Sequence, residues 1–121
     1  MRVALVGDPT DVHVTRWLGA LAARGHEVHH LAGQPADVPG VRWRETPLYA
    51  WHPDPWRRAA LAVRGAREFR RALREIRPDV FHAYGLFPLL AWSVAPALAG
   101  IAPPRVLTVL GSDVIPRGVD P

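Results

Sequence analysis

Cysteine is absent from the 121 residues, which excludes disulfides, thiolate metal sites and cysteine nucleophiles. Lysine is absent as well, so no Walker-type phosphate lysine exists; all 15 basic residues are arginine, a usage that reads as codon bias from a GC-rich genome. No apolar run reaches the roughly 20 residues that a membrane-spanning helix requires. The longest, Leu86–Ala102, is interrupted by Pro88, Ser93 and Pro96. Met1–Gly7 enters an apolar strand directly, without the longer apolar core of a secretion signal, and the expectation is a soluble, cytoplasmic chain. Hydrophobic residues make up 49% and charged residues 21%, a globular composition for a single domain over 1–121.

The charge is unevenly placed. Arg57–Arg77 carries eight of the arginines against only Glu68 and Glu75, a formal +6 in a chain whose total is +4. A near-neutral body therefore bears one basic strip, for which three readings stay open: a solvated helix face, a contact with an anionic membrane, or a nucleic-acid contact. Nucleic acid fares worst because no known binding module accompanies the charge. Tyr49, Trp51 and Trp56 beside the arginines add weight to a headgroup layer, which would make the chain peripheral to the inner face of a membrane. The solvated face leads, because the apolar stripe is only wide enough to pack on the sheet.

The pattern alternates strand and helix. Arg2–Val6 is a buried-strand run ending at Gly7, and Thr10 or Asp11 can cap a helix with Val14, Trp17, Leu18 and Leu21 on one stripe. Arg24-Gly25 ends it, Glu27–Leu31 is a second strand and Val41–Glu45 a third. After the Pro- and Trp-rich stretch 47–55, a helix from about Trp56 to Ile76 places Ala59, Ala62, Ala66, Phe69, Leu73 and Ile76 on one face. Arg77 precedes Pro78 and is pushed out of the α region, which stops the helix. Val80–Ala83 is a fourth strand, Leu86–Leu98 an apolar helix and Arg105–Leu110 a fifth strand. This spacing predicts a doubly wound, mainly parallel, Rossmann-like α/β sheet, and such sheets bind ligands outside the carboxyl ends of their strands. Attention therefore falls on Gly7-Asp8, Gly33, His82-Ala83-Tyr84-Gly85 and Gly111-Ser112-Asp113.

Each constellation has a plain structural alternative. The first turn holds one glycine where a dinucleotide fingerprint needs three; Gly7 either admits a substrate to the backbone or merely permits a tight turn, with Asp8 or Asp11 as a cap. His26, His29 and His30 cannot converge on a metal, because neighbouring strand residues point to opposite faces. His13 and His82 lie beside strand ends, where an imidazole can exchange a proton or bond a hydroxyl group.

Three stretches in order, Val6-Gly7-Asp8-Pro9 with His13–Trp17 and Arg24–Val28, Arg77–Ala83, and Leu107–Val114, resemble the acceptor-side half of family-4 glycosyltransferases, retaining enzymes of the GT-B type. The resemblance implies two Rossmann-like domains across a cleft, the N-terminal one receiving the acceptor and the C-terminal one holding the nucleotide-sugar and an E-x7-E carboxylate pair. It implies no metal and no cofactor beyond the nucleotide-sugar donor of the full-length enzyme. The matched acceptor-binding positions are Gly7, Asp8, His13, Arg16, His82, Gly111, Ser112 and Asp113. Arg16 would orient an anionic or hydroxyl-rich acceptor, and Asp113 would accept hydroxyl hydrogen bonds. Relatives with a histidine before Gly-x-Asp use it on the reacting sugar; Leu110 stands there and cannot. The expected partners are a small-molecule or lipid-linked acceptor and the donor domain absent from these residues. Without that domain, 1–121 is expected to be an incomplete N-terminal portion, inactive alone. Two alternatives remain: a non-catalytic Rossmann-like subunit that docks a separate donor domain, with a membrane face in its arginine helix, or a flavodoxin-like module in which Asp8, His13, His82 and Asp113 do not share a rim.

Overall fold

The computed structural model describes residues 1–46 and 53–84, Pro104, and the backbone of Arg105–Thr108. Its elements are β1 (Arg2–Val6), α1 (Val12–Ala23), β2 (Glu27–Ala32), β3 (Val41–Glu45), α2 (Pro55–Ile76), β4 (Val80–Tyr84) and β5 (Arg105–Thr108). All five strands run parallel in one sheet, in the order β3-β2-β1-β4-β5. That is the Rossmann order, and the α/β reading of the sequence holds.

β1 is the centre of the sheet. Leu5 stands opposite His30 of β2 and His82 of β4 in the same register. Because successive strand residues face opposite ways, β1 serves two cores at once. Ala4 and Val6 join Leu31, Phe81 and Ala83 under Phe69, Ala72, Leu73 and Ile76 of α2. Leu5 joins Val28 and Tyr84 under Val14 and Leu18 of α1. A strand covered on both faces must be apolar throughout, which is why Val-Ala-Leu-Val is a continuous run. Each large side chain removed from water here contributes about 1.5–3 kcal/mol.

The helices begin and end for local reasons. Asp11 caps α1 by accepting the His13 N–H at 2.7 Å, and Gly25 follows its end with φ +82°. Asp54 caps α2 by accepting from the Trp56 N–H at 3.0 Å, with Pro55 supplying a helical φ at the first position. No residue of α2 before Gly65 is buried. The expected stripe therefore begins too early: Ala59 is exposed, whereas Gly65 and Ala72 pack. Other boundaries shift slightly, with β2 reaching Ala32 and β4 reaching Tyr84. The stretch 47–52, the expected helix Leu86–Leu98 and the end of the fifth strand beyond Thr108 lie outside the described residues. No described helix is long and apolar enough to cross a membrane.

At the end of α2, Arg77 leaves the α region before Pro78 as expected, and it enters the left-handed region at φ 51° and ψ 60°. The cause is the cap: in this conformation its N–H reaches the Leu73 carbonyl at 2.9 Å and closes the last turn. The next residues are held on β1, where Asp79 N–H donates to the Arg2 carbonyl at 2.8 Å and Arg2 N–H donates to Asp79 Oδ2 at 2.7 Å. Arg2 Nη1 also donates to the Ile76 carbonyl at 3.0 Å. A left-handed arginine carries a strain that glycine lacks, of about 1 kcal/mol. Arg77→Gly is therefore expected to raise unfolding stability by roughly 0.5–1 kcal/mol, read as a higher denaturant midpoint at constant slope.

Candidate functional site

Strand order reverses between β1 and β4: the chain leaves β1 toward β2 and β3, then crosses back to β4. In sheets of this kind such a reversal is where a crevice opens at the strands' carboxyl ends. The β1–α1 turn and Tyr84 form its described walls.

Gly7 is buried in this turn because nothing larger fits. A Cβ there would lie 2.8 Å from Val14 Cγ2 and 3.2 Å from the Tyr84 Cβ. Glycine is thus required by close approach of α1 and β4 to the turn, since its φ is not among the positive ones. Its carbonyl accepts from His30 Nε2 at 3.0 Å. A carbonyl only accepts, so that nitrogen carries the proton. In the neutral ring Nδ1 is then an acceptor, buried and without a partner among the described residues.

Asp8 and Asp11 build the rest of the turn. Asp8 Oδ1 accepts both the Thr10 N–H at 2.8 Å and the Thr10 hydroxyl at 2.7 Å, and the Asp8 carbonyl accepts the Asp11 N–H at 3.1 Å. The plain alternative for these two acids, local capping, is realised. Asp8 remains half-buried at the mouth, with Oδ2 given no part in these bonds. His13 and Arg16 occupy the first two turns of α1 and are exposed. Arg16 lies on the side of α1 opposite Val14 and Leu18, facing away from the sheet.

His82 departs from its expected place at a strand tip. β4 continues through Tyr84, paired with Thr108, so His82 lies inside the strand, buried on the α1 face. Its ring meets Trp17 edge-on at 5.5 Å and Tyr84 at 6.0 Å. Trp17 itself, expected on the buried stripe, is 46% exposed, covering His82 with one edge. Of the four side chains expected on a common rim, Asp8 and His13 share the crevice end, and His82 lies one layer below. Gly111, Ser112 and Asp113 are outside the described residues.

Sequence reasoning named Tyr84 at the end of the fourth strand but passed over His30 as a site neighbour. The signal available was the parallel register, which sets a β2 residue three before Gly33 beside the middle of β1. His26, just before the second strand, and His29 and His30 within it do separate as expected. His26 Nδ1 meets the Met1 amino group at 3.1 Å, His29 bonds Glu27 at 2.8 Å, and His30 bonds Gly7. The His29 hydrogen bond, followed by the charges of Arg2 and Arg42, holds the Glu27 carboxyl below its ordinary range. Among the described residues no three His, Asp or Glu side chains come together as a metal site would require.

A family model described as glycosyl transferase 4-like matches residues 2–119. The chain belongs to that family. The match spans the described sheet, the turn at Gly7 and the Gly111–Asp113 segment, and agrees with the family that the three sequence stretches resemble. No curated protein matches the chain. Within the family's scaffold, the wall built here is rigid at Gly7, acidic at Asp8 and aromatic at Trp17 and Tyr84.

Two outcomes follow from this geometry. Gly7→Ala forces Val14 and Tyr84 apart, and a loss of about 1–3 kcal/mol is expected in denaturant unfolding. Burial lowers the basicity of both His30 and His82; for His30 the Gly7 bond and the Asp8 charge oppose this only in part. The unfolded chain, with histidines near 6.5, therefore takes up protons first. Stability is full above that pH and falls as the solution is acidified, by at most about 1.4 kcal/mol per pH unit for each group. The loss between pH 7 and 5 should be smaller in the H30Q/H82Q double variant than in the parent.

Proposed function

We propose that this chain is the acceptor-binding part of a retaining glycosyltransferase, with the sugar nucleotide held by a donor domain outside these residues. The observation that carries the reading is the family match over 2–119 laid on a sheet whose switch point falls at Gly7-Asp8. In a two-domain enzyme of this kind the carboxyl-end crevice faces the partner domain, so groups at this mouth meet the acceptor.

The roles follow from the chemistry at the mouth. Asp8 is pinned through Oδ1 and keeps its second oxygen for an acceptor hydroxyl. His13, exposed on the first turn of α1, can donate to or accept from the same molecule. The amide groups at the start of α1 are capped by the Asp11 carboxylate, which accepts the His13 N–H and holds the first turn in place. Arg16 supplies a cation one turn further on, and Gly111–Asp113 would close the wall from β5. His82 acts from beneath, setting the position of Trp17. Proximity and alignment, which can lower a bimolecular barrier by several kcal/mol, are what such a wall contributes.

The test uses the complete enzyme, donor domain included. Asp8→Asn keeps the acceptor oxygen used by Thr10 and removes only charge, and His13→Ala removes a solvent-facing ring. Each is expected to lower kcat/KM for the acceptor about ten-fold or more while leaving the KM for the nucleotide-sugar within about two-fold. Unaltered acceptor kinetics in both variants would overturn the assignment.

A further inference from the structure

The outer face of α2 has a composition that packing on the sheet does not explain. Buried residues of this helix, Gly65, Phe69, Ala72, Leu73 and Ile76, define the inner side. Helical spacing puts Trp56, Ala60, Val63, Arg67, Arg71 and Arg74 on the opposite side. Trp56 is 85% exposed and Val63 54% exposed, two large apolar side chains on a surface with no described neighbour to cover them. The arginines follow them along the same face. Glu68 and Glu75 lie on its flank, where Arg64 and Arg71 pair with them at 3.1 Å and Arg44 of β3 also holds Glu75. Arg67 and Arg74, both exposed, have no carboxylate partner among the described residues.

We infer that this face docks onto an anionic phospholipid surface. A solvated helix face accounts for the arginines but not for Trp56 and Val63 beside them. A nucleic-acid contact would use the arginines on phosphates, but no groove-reading element or stacking platform accompanies the helix among the described residues. An anionic bilayer accepts both halves of the pattern: indole and valine enter the headgroup layer, and guanidinium groups meet lipid phosphates. The helix lies in the interface rather than across it, since no described helix is apolar enough to span. The inference stands apart from the sugar-transfer reading, because α2 and the Gly7 crevice are different surfaces.

The experiment is co-sedimentation of the complete purified protein with vesicles of phosphatidylcholine alone and of phosphatidylcholine with 30% phosphatidylglycerol. Binding to the second only, weakened by raising salt from about 0.1 to 0.5 M, is expected. The double variant R67Q/R74Q should lower the partition coefficient about thirty-fold, at roughly ten-fold or less per arginine. W56S should weaken binding several-fold while keeping its salt dependence. None of the three side chains is in the sheet core, so an unchanged far-UV circular dichroism spectrum identifies folded variants. The inference is overturned by absence of binding to anionic vesicles, by equal binding to neutral ones, or by folded R67Q/R74Q binding as the parent does. Retention on a 20-base-pair DNA duplex without vesicle binding would also overturn it, in favour of a nucleic-acid contact.

Discussion

The missing side chain of Gly7 is the constraint on which the arrangement of the site depends. Only a bare Cα lets β1 turn into α1 while Val14 and the Tyr84 Cβ stay in contact with the turn. That contact fixes the angle at which α1 leaves the sheet. It thereby sets where Trp17 meets His82 and where His13 and Arg16 face solvent. The carbonyl of the same residue is held from the other side by His30, so the turn is gripped by all three central strands. A mouth built on so constrained a backbone would need little reorganisation to take a ligand.

Neutral histidine suits that grip. A charged ring buried on the sheet would pay a heavy desolvation cost, whereas a neutral one donates a single hydrogen bond. His82 meets the same condition differently, in aromatic company with Trp17 and Tyr84. Both rings flank Leu5 on one face, so the middle of β1 has an imidazole on either side. The layer under the crevice is thus soft and polarisable, while the charge at the mouth itself is that of Asp8.

Much of this was legible in the residues. The continuous apolar run of β1, the Asp11 cap and the Arg24-Gly25 stop are local signals, and local physics decided them. Val41–Glu45 was placed at its observed bounds because alternation needs no distant partner to be read. What could not be read depended on neighbours in space. Whether His82 marks a tip or an interior position turned on pairing of Tyr84 with Thr108, some two dozen residues away in sequence. His30 gained its role only once β2 lay against β1. Arg77 took the left-handed region because the Leu73 carbonyl needed a donor, a demand that the proline rule alone does not contain.

The two faces of the sheet divide the protein's work by physical necessity. α1 meets the sheet with a turn that leaves no spare volume, and its first turns carry His13 and Arg16 in solvent. α2 is anchored only through its later half, from Gly65 to Ile76, and by Arg44 reaching Glu75 from β3. Of its earlier turns, Trp56, Ala60 and Val63 present their side chains to solvent, while Arg58, Leu61 and Ala62 are half-buried. The outside of α2 lies across the sheet from α1, so a contact made there would leave the mouth at Gly7 and Asp8 uncovered.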